Sequence, residues 1–227
     1  MSATEPLAGD RPRTARVPLR AYTPRLLFCL VVLAVAPGLV THLRHYADPV
    51  QLTAGLLAAV YLGWLALEIP VTFRRATAPP AESATLLWYA TARIATAVAA
   101  ATGPLPWHRW SPWLLLPAAV FLAGIALRQI AIHTLGRFYS HHVMRQQDHR
   151  IVSGGPYRVI RHPAYAGMLL AHLGFVGFFL NPFSAALLPA LAVAVVHRIR
   201  TEERLLLTVP GYRAYAVGRA RLCPRVW

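Results

Sequence analysis

The residues of this chain best suited to chemistry lie in two stretches. The first is Gly154-Gly155-Pro156-Tyr157-Arg158-Val159-Ile160-Arg161-His162-Pro163-Ala164-Tyr165-Ala166-Gly167; the second is Arg198-Ile199-Arg200-Thr201-Glu202-Glu203. Both sit among apolar runs, and polar clusters next to a bilayer are costly to keep without a function. Gly154-Gly155-Pro156 predicts a turn that brings backbone close to a neighbour. Pro163 forces His162 out of the helical region and is itself suited to the first position of a new helix. His162, Ala164 and Tyr165 then stand at a helix N-terminus, where free N–H groups and the dipole favour an anion. Gly167 lets a ligand or a second helix approach. Arg198 and Glu202 are four apart on one helical face. Alone they read as an exposed ion pair worth ~0.3–0.5 kcal/mol; behind the arginine-histidine-proline stretch they read as part of a site.

The elements that must position these residues are membrane helices. Hydrophobic residues make up 56% of the 227 positions and charged ones 14%, too apolar for an ordinary soluble domain. The fold expected is an all-α, polytopic integral membrane helical bundle of about five to six segments. The segments expected are Leu26–Val40, 52–73, 84–102, 112–132, 166–180 and 183–197. The last two form a hairpin around the turn signal Asn181-Pro182. Residues 1–22 are proline- and arginine-rich and predict a disordered tail, 23–132 the bundle, and 133–227 the catalytic region. Ala34-Val35-Ala36 imitates a signal-peptidase site, but Pro37 follows it and further apolar segments come after, so this helix is expected to be retained.

All 23 basic residues are arginine, and the net charge is +15. They cluster between apolar runs, which reads as membrane topology rather than nucleic-acid binding. Arg11, Arg13, Arg16, Arg20 and Arg25, then Arg74 and Arg75, then Arg137 to Arg161 fall alternately on one side. That side should be cytoplasmic, with both termini and the motif facing it; in a prokaryote the membrane would be the cytoplasmic one. Glu68, Arg93 and Arg128 lie in apolar runs and predict a structural interhelical pair such as Glu68 with Arg93. His133, His141, His142 and His149 form no H-x-x-H-H box, so no metal is expected. His172 and His197 read as hydrogen-bonded packing residues, and Trp88, Trp107, Trp110 and Trp113 as interfacial anchors. Cys29 and Cys223 have no metal or disulfide spacing, and Cys223 is not placed for prenylation.

The pattern G-P-Y-R-x-x-R-H-P-x-Y-x-G followed by E-E closely resembles the isoprenylcysteine carboxyl methyltransferase family of integral membrane methyltransferases, from Leu127 onward. The resemblance implies S-adenosylmethionine as cofactor, bound by this region in place of a soluble Rossmann-like fold. It implies cofactor contacts from His149, Ile151, Val152, Gly155, Tyr157, Arg161, His162, Pro163, Ala164, Tyr165 and Glu202. It puts Arg198 on the substrate and makes Arg198 and Glu202 the catalytic pair. Leu127-Arg128, Leu135-Gly136, Phe138, Tyr212 and Tyr215 fit the family as well. The stretch from Glu203 to Tyr212 is shorter than in eukaryotic members, and the N-terminal half carries no recognised motif.

The implied partners are the bilayer and a lipophilic or prenylated acceptor. An ionised carboxylate acceptor needs no base, since its pKa is near 4.3, and the protein's task becomes alignment with water excluded. For a phenol or thiol, His162 or His149 would be the nearest base. Two other readings compete. One is an NADPH-dependent sterol- or steroid-type membrane reductase, whose members carry a similar arginine-histidine-proline-x-tyrosine segment. The other is a non-catalytic membrane scaffold.

Overall fold

The computed structural model describes residues 23–72, 83–136 and 151–227. The expected tail over 1–22, Arg74, Arg75, Phe138, His141, His142 and His149 lie outside them. Among the described residues seven α-helices run in the order α1 (Thr23–Arg44), α2 (Pro49–Thr72), α3 (Ser83–Thr102), α4 (Leu115–Leu135), α5 (Pro163–Phe178), α6 (Pro182–Leu206) and α7 (Tyr212–Ala216). Among the described residues there is no strand, only an isolated parallel bridge between Ile160 and Ala220. Five helices, α1 to α4 and α6, are long and apolar enough to cross a membrane. The chain is a multi-pass helical membrane protein.

Glycine sets the closest helix pair, α4 with α5. A Cβ at Gly124 would lie 2.2 Å from the Ala171 nitrogen, one at Gly167 2.6 Å from the Arg128 nitrogen, and one at Gly174 2.2 Å from the Phe121 nitrogen. Between membrane helices apolar side chains gain little over lipid, so small residues that let backbones touch decide the contact. The close approach expected at Gly167 is therefore to a second helix.

The expected hairpin is present, with arms of unequal length. Asn181 caps α6 in a capping box, its Oδ1 accepting from the Ser184 N–H at 3.0 Å, and Pro182 follows at the first helical position. The second arm runs to Leu206 rather than stopping near 197, because Arg198 to Arg204 continue as good helix formers. At 1.5 Å per residue the 16 residues of α5 span about 24 Å, short of a ~30 Å hydrocarbon core. The motif ahead of α5 stands beside the last turns of α6, where Arg161 and His162 meet Glu203.

Tyr61 and Trp64 of α2, Phe121 of α4 and Phe175 of α5 make the aromatic centre, with Tyr61 and Phe175 ring centroids 4.8 Å apart. His172 packs there fully buried, donating from Nδ1 to the Met168 carbonyl at 2.9 Å. His197, expected to pack likewise, is exposed on α6. Trp88 and Trp113 are exposed as anchors should be, whereas Trp107 donates from Nε1 to the Phe178 carbonyl at 2.7 Å and tethers the end of α5.

The intramembrane charges pair as expected, with one addition. Arg93 Nη1 reaches Glu68 Oε2 at 2.9 Å, and Arg128 grips the same carboxylate through Nε and through Nη2 at 3.1 Å. Arg93 also lies over the Trp64 ring, 4.6 Å from its centroid. Arg128 then donates from Nη1 to the Ala164 carbonyl at 3.2 Å. The ion cluster in the bundle is thereby wired to the first turn of α5.

Candidate active site

The connector leading into α5 is a single 3-10 turn, Gly155–Arg158, then a turn at Val159, the bridge residue Ile160 and a bend at Arg161. Gly155 has φ of 54°, a left-handed value that favours glycine, and a Cβ there would meet Thr134 Oγ1 at 3.1 Å. His162 caps α5 with φ −126° and ψ 57°, outside the helical region as Pro163 requires. The N–H groups of Arg161 and His162 donate to the carbonyls of Ala220 and Arg221, both at 2.9 Å. They are not presented to a ligand, which removes part of the anion site expected there.

Glu203 organises this corner. Its side chain is buried and accepts from Arg161 Nη1 at 2.7 Å, His162 Nε2 at 3.3 Å and Arg221 Nε at 2.6 Å. The motif (Arg161, His162), the end of α6 (Glu203) and the segment after α7 (Arg221) therefore meet at one carboxylate. Charge-assisted bonds of this kind are roughly twice as strong as neutral ones.

Glu202, next along α6, turns to α5 and accepts from the Tyr165 hydroxyl at 3.1 Å. Tyr165 stands edge-on to Tyr89 of α3, ring centroids 5.8 Å apart. Arg198, one turn earlier, is buried to 2% and donates from Nη1 to Thr85 Oγ1 of α3 at 2.6 Å. It is not the solvated member of a surface ion pair.

The other described residues singled out from the sequence line the same corner. Tyr157 is buried, and its carbonyl accepts from the Tyr215 hydroxyl at 2.9 Å. Pro163 and Ala164 are buried in the first turn of α5, and Ile151 and Val152 are half-buried. Ile151 Cδ1 lies 3.3 Å from where a Cβ at Gly211 would stand, and Gly211 has φ of 83°. Burial, and then the Glu203 charge, push the Tyr212 phenol well above the ordinary tyrosine range; burial also raises Tyr215.

Three contributors were missed: Glu203 as the hub, Arg221 from the last segment, and Thr85 from α3. A signal existed for Glu203, because Leu191, Val195, Ile199 and Glu203 are four apart and all buried. A carboxylate continuing a buried stripe must be paired.

Residues 115–208 match the isoprenylcysteine carboxyl methyltransferase (ICMT) family. The resemblance drawn from the motif holds. The ICMT match takes in α4, the connector, α5 and α6 with Glu202 and Glu203; it leaves out α1 to α3 and the segment carrying Arg221. Protein-S-isoprenylcysteine O-methyltransferase B of Arabidopsis thaliana is 37% identical over 93 residues, 38% of this chain and 46% of that protein. Protein-S-isoprenylcysteine O-methyltransferase A of the same plant is 36% identical over 115 residues, 47% of this chain and 57% of its own length. The cobalt-zinc-cadmium resistance protein CzcN of Cupriavidus metallidurans is 29% identical over 122 residues, 52% of this chain and 55% of that protein. The chain spans about half the length of the curated relatives it matches.

Proposed function

We propose that this chain is a membrane methyltransferase that moves a methyl group from S-adenosylmethionine to the carboxylate of a lipophilic acceptor, of the prenylated-cysteine kind. The observation that carries the reading is the convergence of Tyr165–Glu202, the Arg161–His162–Glu203 cluster and Arg198 where the start of α5 meets the last turns of α6.

The residues present fit such a donor. Glu202 is half-buried and held by a neutral hydroxyl, so its negative charge suits an ammonium group. Arg161 Nε and Tyr212 Oη are buried polar atoms without a hydrogen-bond partner, and an orphaned group of this sort suits a polar ligand. His149, Ile151, Val152, Gly155, Tyr157, Arg161, His162, Pro163, Ala164, Tyr165 and Glu202 would hold it, Pro163 and Ala164 as apolar wall. When bound, the sulfonium donor supplies a methyl group already activated for transfer.

The remaining work belongs to the chain. Arg198 orients the acceptor carboxylate, which is ionised at neutral pH and needs no base. The α5–α6 walls exclude water and fix the approach, the effect that contributes most when two reactants must be aligned. The arginine bias of the loops supports a cytoplasmic site and cytoplasmic termini. The division into a tail at 1–22, a bundle at 23–132 and a catalytic region at 133–227 follows the same reading.

The test is transfer of labelled methyl by the full chain in phospholipid vesicles to N-acetyl-S-farnesylcysteine. A base-labile methyl ester is expected. Calorimetry showing no affinity for S-adenosylmethionine, or affinity for NADPH in its place, overturns the reading.

A further inference from the structure

One face of α3 meets this site, and it lies wholly outside the segment that matches the family. Thr85, Tyr89 and Arg93 stand four apart on that face and are buried to 8%, 3% and 8% exposure. In a helix this spacing stacks side chains along one line. The first of the three receives Arg198 at 2.6 Å. The second packs edge-on to Tyr165, the residue that holds Glu202. The third is fixed through Nη1 on Glu68, one turn deeper.

One feature of the stripe is not explained by packing. The Tyr89 hydroxyl is buried without any hydrogen-bond partner, and the Arg93 guanidinium one turn along spends only Nη1 on Glu68. Phenylalanine would fill the Tyr89 position with the same ring and no stranded hydroxyl. A polar atom kept unpaired in an apolar interior is costly, and a ligand that meets it removes that cost. A phenol can donate as well as accept, and with the Arg93 and Arg198 guanidinium groups along the same stripe an acceptor-rich, anionic partner is favoured.

We propose that Tyr89 is an acceptor-binding residue: its hydroxyl, with Arg198 beside it and Arg93 beneath, receives the carboxylate of a lipophilic acid lying against α3. This rests on the methyltransferase reading for what happens next, though not for the binding itself. It makes α3 the element that reads the acceptor, while the α5–α6 corner reads the donor. A neutral acceptor of the same shape lacks the charge that Arg93 and Arg198 favour.

The experiment measures binding of N-acetyl-S-farnesylcysteine and of its neutral amide to the full chain in vesicles, for wild type, Tyr89→Phe and Thr85→Val. Affinity for S-adenosylmethionine and the melting temperature are followed in parallel. Wild type should prefer the acid, and Tyr89→Phe should lose about tenfold in acid affinity, the scale of one hydrogen bond to a charged group. Its amide affinity, cofactor affinity and melting temperature should stay within twofold or within error of wild type. Thr85→Val should weaken acid binding by releasing Arg198 from its aim. Equal wild-type affinity for acid and amide, no binding of either, or an acid affinity untouched by Tyr89→Phe overturns the proposal. Acid preference without methyl transfer or cofactor binding leaves the α3 site standing and removes the methyltransferase reading instead.

Discussion

Replacing Glu203 by glutamine tests whether the carboxylate hub holds the donor site together. Glutamine keeps the shape and one acceptor oxygen but removes the charge, and it turns an NH2 toward groups that are themselves donors. The bond from Arg161 at 2.7 Å is a buried charge-assisted one, worth about 1.5–3 kcal/mol. His162 at 3.3 Å adds an ordinary bond of about 1 kcal/mol. Arg221, whose side chain is 35% exposed, regains water when released, so its contact adds ~0–1 kcal/mol. The loss is then about 2.5–5 kcal/mol, felt mostly as loosening of the connector rather than of the bundle. Carried in full to the donor site, this lowers affinity for S-adenosylmethionine by roughly 60- to 4,000-fold, at ~1.4 kcal/mol per factor of ten. Calorimetry on the full chain in vesicles reads the affinity, and helical circular dichroism on heating reads the bundle. Arg221→Ala should follow with a smaller loss. If Glu203→Gln binds the donor within twofold of wild type, the hub is surface decoration and the reasoning fails.

Glu202→Gln should weaken donor binding by roughly tenfold without lowering the melting temperature, because the charge it removes faces the ligand rather than holding the scaffold; calorimetry and melting separate the two. Arg198→Ala should leave donor affinity intact and reduce turnover sharply, with Arg198→Lys restoring only part, since an ammonium cannot grip a carboxylate in two-pronged fashion; equal small effects in a methyl-transfer assay would contradict this. Glu68→Gln should cost about 3–5 kcal/mol by stranding two buried guanidinium groups, read as loss of folded protein on heating. Gly174→Val should prevent α4–α5 docking, while Gly63→Ala, which faces open space, should be silent in the same melting assay.

The sequence made the helices legible because membrane segments announce themselves by length and apolarity, and Asn181-Pro182 marked the hairpin turn. The Glu68–Arg93 pair was legible for a related reason, since a charge in an apolar run has few places to go. Arg128 as its third member was not, because pairing across three helices depends on rotation about each axis. The motif disclosed the turn at Gly155 and the cap at His162 through local backbone rules. It did not disclose that the adjacent N–H groups are occupied by residues 220 and 221, a contact between distant parts of the chain. Glu203 was overlooked beside Glu202 because motif matching weighs residue type, whereas the four-residue period of buried positions on α6 assigns it inward. The role of α3 had no sequence signature: Thr85, Tyr89 and Arg93 look like an ordinary amphipathic face until Arg198 and Tyr165 are seen against them.

The bridge between Ile160 and Ala220 gives the site a birth order. The connector is closed by carbonyls at positions 220 and 221, about sixty residues after the stretch they brace. Synthesis runs from one end, and contacts between distant positions form after local ones. Six helices can therefore be inserted and docked through their glycines while the connector is still unlatched. Such a precursor would hold the bundle's full helical content yet no affinity for a donor, and competence would arrive in one step with Ala220 and Arg221. A cell that made this chain slowly would carry it for a time as membrane structure without a reaction centre.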